Sequence, residues 1–255
     1  MKLENHIAYR FLTDKDFWWE ILEKQMPEDF NKEEPSNRLM GMYNLLAPME
    51  NHRPRYITKT VEEKMEYLKL KRKDGVLDWT IFKNIKEGQF IYIFPFNQVM
   101  RVVFDANLIH VFLLTFSFDK NSDNQGVARW TLIYMDKVTG QRCSHIGDLR
   151  GTITEEIAYR LLCFVHISEI EENIIEKGRK WGTRKQGKII NTLPFDIVRI
   201  DSTWNVTSIR TDEFGVKGHF AIRWTGKGRI IPKLVWINPF TKHGYVKKAK
   251  KLNEE

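Results

Sequence analysis

Four segments rich in β-branched and aromatic residues follow one another in the middle of this 255-residue chain. They span residues 89–94, 99–104, 109–118 and 127–135, and turn-forming residues or the polar stretch 119–126 separate them. Runs of this kind, joined by short turns, are typical of neighbouring antiparallel strands. The sequence therefore predicts a central antiparallel sheet of about four strands.

Helical periodicity of the apolar residues flanks this region on both sides. It predicts two N-terminal helices, over residues 14–26 and 37–47, and a third from Thr58 or Thr60 to about residue 70, before Asp74-Gly75. A long helix is expected from Thr154 to Lys177, packed across the sheet, and four short β-like segments lie beyond it. The predicted fold class is α+β, with residues 1–177 forming a helical and sheet domain and 178–255 a β-rich basic module.

Charge is distributed unevenly along the chain, whose formal net charge is +8. Residues 178–255 contain 17 Lys and Arg against 6 Asp and Glu, whereas the remaining 177 residues contain 24 against 27. A basic cluster of this density indicates a polyanion or an acidic surface as partner, and it is a recognised footprint of nucleic-acid binding. The alternative is a solvated basic face that only aids solubility.

The cellular compartment follows from cysteine usage and hydropathy. Only Cys143 and Cys163 occur, which is unlike the disulfide frameworks of secreted domains. The N-terminus has no signal-peptide pattern, and the longest apolar run, 108–118, is too short to cross a bilayer. We therefore expect a cytoplasmic protein without membrane contact. Its oligomeric state is not predicted.

The densest chemistry lies in residues 216–244, where a predicted strand, a glycine-rich turn and a second strand follow one another. Because side chains alternate along a strand, one face carries a histidine and cations and the other is apolar. The polar face consists of Lys217, His219, Ala221, Arg223 and Thr225, and the apolar face of Gly218, Phe220, Ile222 and Trp224. Arg223, together with Lys227 and Arg229 of the turn, is expected to hold a phosphate or carboxylate.

The aromatic residues of this segment have two interpretations. Phe220, Trp224 and Trp236 are expected mainly in the core, because large aromatic side chains are mostly buried. Exposed rings would instead serve as binding contacts. The predicted binding residues are Lys217, Arg223, Trp224, Lys227, Arg229 and Trp236. The three glycines, Gly218, Gly226 and Gly228, are expected to serve the geometry of turns.

His219 is either a structural hydrogen-bonding residue or a catalytic one. A metal-independent ribonuclease needs a general base, a general acid and cations that stabilise the phosphorane. His219 and Arg223 are the catalytic candidates, with His243 or Glu213 as a second proton-transfer group. An enzymatic function remains open on this pattern, since His and Arg on a basic strand suit a binding site equally well.

The order of residues in this segment resembles the C-terminal part of a type V-A anti-CRISPR family of phages and mobile elements. The matching positions are Lys217-Gly218-His219-Phe220, Trp224-Thr225-Gly226-Lys227-Gly228, Trp236, Pro239 and Gly244, with weaker similarity over 89–97 and 185–199. The resemblance implies an anti-defence protein that binds the nascent N-terminal peptide of a target nuclease and causes loss of its mRNA. It also implies a basic surface for RNA or the ribosome as partner. An RNA-binding regulatory protein and a ribonuclease are the alternatives.

No metal or cofactor is expected. Cys143, His145, Cys163 and His166 lack the paired spacings of a zinc site. No phosphate-binding loop, dinucleotide fingerprint or nucleophile elbow occurs either.

Overall fold

A computed structural model describes residues 53–73, 75–95, 98–118, 126–147, 151–168, 170–181, 189–202, 204–205, 215–216, 218–241, 244–245 and 250–251. This part is mostly β-structure and contains two α-helices. The predicted N-terminal helices over 14–26 and 37–47 lie outside the described residues. So do the candidate residues Lys217, Glu213 and His243.

The secondary-structure elements follow in chain order. The strands are β1 (Arg55–Ile57), β2 (Arg72–Lys73), β3 (Val76–Leu77), β4 (Gly88–Phe94), β5 (Gln98–Phe104), β6 (Leu108–Phe118), β7 (Gly126–Asp136), β8 (Arg142–Gly147), β9 (Ile170–Ile175), β10 (Lys180–Trp181), β11 (Ile189–Ile190), β12 (Ile197–Ser202), β13 (Trp204–Asn205), β14 (Gly215–Val216), β15 (His219–Thr225), β16 (Ile231–Ile237), β17 (Phe240–Thr241), β18 (Gly244–Tyr245) and β19 (Lys250–Lys251). The helices are α1 (Lys59–Met65) and α2 (Gly151–Leu162), with 3₁₀ segments at Trp79–Phe82 and Lys227–Arg229 and a π-helical turn at Cys163–Ile167.

An eight-stranded sheet with the order β8-β7-β6-β5-β4-β1-β12-β9 forms the centre of the described fold. Strands β4 to β8 form an antiparallel meander, which confirms the four predicted strands and adds β8. The predicted central antiparallel sheet is thus part of a larger mixed sheet, because β1 pairs in parallel with both β4 and β12. A three-residue strand carries no periodicity of its own, so its place between two distant strands comes from tertiary packing.

Helix α2 packs on one face of this sheet through a fully or nearly buried aromatic cluster. Trp79 contacts Phe82 and Tyr159 at ring-centroid distances of 5.5 and 5.4 Å. The indole Nε1 of Trp79 donates a hydrogen bond of 3.2 Å to the buried carboxylate of Glu155. Burying these large rings supplies much of the hydrophobic stabilisation on this side of the sheet.

The prediction of one long helix over residues 154–177 is wrong. Helix α2 starts at Gly151 and ends at Leu162, and after the π-helical turn the chain becomes strand β9. Residues 170–175 pair with β12, including the contacts Ile174↔Val198 and Ile175↔Ile197. Ile170 and Ile174 have helical spacing, but β-branched residues also favour strands, and here the pairing with β12 prevails.

Helix α1 begins where the sequence predicts, since the Thr58 hydroxyl accepts a hydrogen bond from the Val61 amide and caps the helix. It ends at Met65, earlier than residue 70, and Leu68 then forms an isolated bridge with Phe220. The segment beyond residue 178 therefore contacts the rest of the fold in two ways. β12 lies within the central sheet, and Phe220 and Leu234 belong to the main hydrophobic core.

Candidate functional site

Strands β15 and β16 with the connecting turn 226–230 form a two-stranded hairpin, here called the basic hairpin. Its base is fixed to the segment that follows α1. The Phe220 amide donates to the Tyr67 carbonyl at 2.8 Å, and the Lys69 amide donates to the Phe220 carbonyl at 3.0 Å. The fully buried Phe220 ring lies 5.0 Å from Phe164 and 4.9 Å from Trp236. One end of the hairpin is thus part of the core.

The two faces of the basic hairpin follow the predicted alternation near its base. Phe220 and Leu234 are buried on one face, and the facing pairs Ile222↔Leu234 and Trp224↔Pro232 continue it. Ala221, which was expected on a polar face, is buried. The expectation that Trp224 lies in the core is wrong: this side chain is 39% exposed, because the face leaves the core before the strand ends. Trp236 is partly buried and packs edge-on against Tyr67.

Four cations line the outer half of the hairpin. Arg223 and Lys233 occupy directly opposite positions on the two strands, and Lys227 and Arg229 lie in the turn. All four side chains are exposed, and none takes part in an ion pair among the described residues. Like charges directly opposite on a hairpin repel each other. The arrangement therefore favours an anion that bridges them.

The turn that carries two of these cations has a defined backbone. Gly226 and Gly228 adopt φ of 78° and 76°, which confirms that glycine was needed there. Arg229 has φ of 52°, and it is the one non-glycine residue at positive φ among those described. The Arg229 amide donates to the Gly226 carbonyl at 3.0 Å, and the Thr225 hydroxyl donates to the Ile231 carbonyl at 3.1 Å.

Gly218 has a different role from the turn glycines. Its φ is not in the left-handed region, but a Cβ built there would lie 2.3 Å from Cζ2 of Trp236 and 3.0 Å from Cδ of Pro239. The expectation of turn geometry is therefore wrong at this position. The residue lets the indole approach the backbone closely, and this contact joins three residues of the quoted motif.

Apolar side chains are exposed beside the cations at the tip. Trp224 is 39% exposed, Ile230 64% and Ile231 57%. Aromatic and aliphatic surface next to cations provides stacking faces for unpaired bases.

His219 lies apart from the tip. It is partly buried at the start of β15 and lies four positions before Arg223 along the strand, or about 13 Å at ~3.3 Å per residue. Lys227 and Arg229 lie further along the hairpin. The structure thus brings Arg223 together with Lys233, a residue that the sequence argument did not single out, and does not bring His219 close to the turn cations.

A cleft of about 260 Å³ lies between the end of the α2 region and the hairpin. Residues 166–168 form one wall, and Thr225 with residues 231–234 forms the other. His166 was considered in the sequence only as an unsupported zinc ligand, and no local signal marks it as part of a cleft. Its Nε2 is 3.2 Å from the hydroxyl of the fully buried Tyr92.

Burial lowers the pKa of His166 to about 4, with a smaller effect from the charge of Arg55. The imidazole is therefore neutral near pH 7. Its ring also packs against Phe90 and Phe104, each at 5.3 Å between ring centroids. These contacts hold the ring in one orientation at the cleft wall.

A second polar cluster joins α1 to β12. The Thr58 hydroxyl donates to the Asp201 carboxylate at 2.9 Å, and Arg199 forms an ion pair with Asp201. Burial lowers the pKa of Lys64 and raises that of Tyr56. Because Thr58 and Arg199 both bond to Asp201 and join the start of α1 to β12, we assign this cluster a structural role.

Comparison of the chain with protein-family models, curated proteins and solved structures gave no match. Neither helix in the described residues combines the length and the apolar run that crossing a bilayer requires.

Proposed function

We propose that this protein is a regulatory protein that binds single-stranded RNA through the basic hairpin. The observation that carries this proposal is the exposed cross-strand pair Arg223 and Lys233 beside the turn cations Lys227 and Arg229. A phosphate backbone would lie along these cations and relieve their mutual repulsion.

The exposed apolar side chains at the tip favour single-stranded over duplex nucleic acid. Trp224 and its neighbours offer faces on which unpaired bases stack, and in a duplex those base faces are covered. Recognition of this kind tolerates many sequences, because every base has a π-face.

The resemblance to the type V-A anti-CRISPR family supplies the biological setting of the proposal. Its specific segment, from Val216 to Gly244, contains the two strands and the turn of the basic hairpin. We propose accordingly that the protein acts in anti-defence, binds the nascent N-terminal peptide of a target nuclease and causes loss of its mRNA.

A peptide-binding surface would complete this proposal. Strand β8 lies at one edge of the central sheet among the described strands, and residues Arg142 to Ile146 are exposed. An extended peptide can add to such an edge through main-chain hydrogen bonds.

RNA binding is tested by fluorescence anisotropy with a labelled single-stranded RNA over a series of salt concentrations. The double variant Lys227→Glu/Arg229→Glu is compared with Lys59→Glu/Lys86→Glu, which changes the charge equally outside the hairpin. Loss of two phosphate contacts should reduce the slope of log K against log salt by about 1.4 and weaken binding at least about tenfold. Absence of RNA binding by the wild-type protein, or equal losses in the two variants, would refute the proposal.

The same RNA is examined on a gel after incubation, which separates binding from cleavage. Intact RNA supports a binding protein, whereas cleavage lost on His219→Ala would replace it with the ribonuclease alternative. The anti-defence role is tested by co-expression with genes of candidate CRISPR effector nucleases. Their mRNA and protein should fall with the wild-type chain and not with Lys227→Glu/Arg229→Glu, and unchanged levels with every effector gene would contradict this role.

A further inference from the structure

The cleft beside the basic hairpin is built from two segments that are distant in sequence. One wall is the end of the π-helical turn at Ile167 with the adjoining Ser168, and the other is the outer part of β16. π-helical turns are rare and are often found at functional sites. Here the turn places His166 and Ser168 where they face the hairpin across the cleft.

The inner wall presents an immobilised imidazole. Tyr92 engages Nε2 of His166, and the ring has no second hydrogen bond among the described residues. A neutral imidazole attracts a phosphate weakly, but it donates or accepts one hydrogen bond to the polar edge of a planar ligand. This wall therefore suits a nucleobase better than an anion.

The outer wall combines apolar surface with a cation. Ile231 and Pro232 contribute aliphatic faces, and the buried Leu234 also lines the cleft. Lys233 lines the cleft and lies opposite Arg223. A group that enters with an apolar face toward Ile231 would thus have an anionic substituent beside two exposed cations.

We propose that this cleft is a nucleotide subsite, which takes one unstacked RNA base between His166 and Ile231 and the adjoining phosphate on Lys233 and Arg223. At about 260 Å³ the cleft is smaller than the ~300–1,000 Å³ typical of drug-sized ligands, which suits a ligand as small as one base. The inference rests on the proposed RNA binding and adds a specific position at which one base is held.

The test uses 5′-mononucleotides as probes and the imidazole NMR signals of His166 in the full chain as readout. Nucleosides and inorganic phosphate are titrated in parallel. A single stacked base raises affinity only about 5- to 150-fold. Because binding of a mononucleotide is therefore expected to be weak, the titration extends to about 20 mM. Nucleotides are expected to shift the His166 signals more than either nucleoside or phosphate alone.

Ile231→Trp is designed to fill the cleft, and Ile230→Trp places the same indole one residue away on the exposed turn. We expect Ile231→Trp to abolish the nucleotide-induced shift and to weaken RNA binding about tenfold. Ile230→Trp should retain the shift. Both variants replace exposed side chains, so loss of folding is not expected, and urea unfolding checks this.

The outcomes separate this inference from the proposed function. If RNA binding depends on Lys227 and Arg229 while nucleotides leave His166 unchanged, the subsite is refuted and RNA binding stands. Equal shifts with phosphate and nucleotide also refute it, because they indicate an anion site without a base. If the chain binds no RNA at all, both ideas fail together.

Discussion

Arg223 and Lys233 lie directly opposite each other on the basic hairpin, and both side chains are exposed. Neither has an ion-pair partner among the residues that the structure describes. A hairpin selected only for stability would place opposite charges at such a position. We therefore interpret the pair as a binding feature that costs some stability.

Replacing Lys233 with Glu tests this interpretation. The free energy of unfolding of the variant, measured with urea, should rise by about 0.2–1 kcal/mol, because a repulsive cross-strand pair becomes attractive. Its affinity for single-stranded RNA should fall at the same time. Lys86→Glu makes the same charge change away from the hairpin and should leave both quantities nearly unchanged. A Lys233→Glu variant that is less stable and binds RNA normally would contradict the interpretation.

Arg229 offers a second test of stability against binding. Its φ of 52° lies in the left-handed region, which costs a non-glycine residue about 1 kcal/mol. Arg229→Gly should therefore raise the free energy of unfolding by up to about 1 kcal/mol, less the greater entropy of glycine in the unfolded chain. Lys227→Gly, at a position without positive φ, should lower it. Each variant removes one cation, so RNA affinity should fall in both. Equal changes in stability would show that the strain is absent.

The sequence predicted correctly those elements that are determined by residues close together in the chain. The strands from residue 88 to 136 carry long β-branched and aromatic runs, and Thr58 is an N-cap residue that acts within its own turn. Strand β9 shows where prediction from local sequence patterns fails. Ile170 and Ile174 fit a helix face and a strand equally well, and the register with Val198 decides between them. That register is set by partners more than twenty residues away.

The site was predicted to a similar degree. The basic turn and its two left-handed glycines are visible in the sequence, because charge and glycine act locally. The pairing of Arg223 with Lys233 depends on the register of the hairpin, and the exposure of Trp224 depends on where the core ends. The cleft was not predicted, because His166 and Ile231 are distant in sequence and come to line the same cleft only when the π-helical turn packs beside β16.

Gly218 provides a test of the packing at the base of the hairpin. An alanine Cβ there would lie 2.3 Å from the Trp236 indole, so Gly218→Ala should lower the free energy of unfolding by about 1–3 kcal/mol. Trp236→Phe removes the clashing Cζ2 atom and should recover part of this loss in the double variant, as a double-mutant cycle in urea measures. A strictly additive cycle would place the cause elsewhere.

The acid stability of the protein should depend on His166. Its pKa in the folded state is about 4, against about 6.5 for an unperturbed histidine, so between these values the unfolded chain binds a proton that the folded chain does not. The contribution of His166 to the free energy of unfolding is therefore fully present above pH 6.5 and is lost as the pH falls toward 4. The total loss from this group is about 3 kcal/mol, because the two pKa values differ by about 2.5 and each pKa unit corresponds to about 1.4 kcal/mol.

His166→Gln removes this titration and keeps a polar partner for Tyr92. At pH 7 the variant should be less stable than the wild-type protein, because it loses the ring contacts with Phe90 and Phe104. The difference in free energy of unfolding should shrink, and then reverse, as urea unfolding is repeated down to about pH 4.5. Tyr92→Phe serves as the control: burial is the main cause of the lowered pKa, so this variant should keep the acid sensitivity of the wild-type protein. A constant difference between His166→Gln and the wild-type protein at every pH would show that the imidazole is not held in the buried environment that the cleft requires.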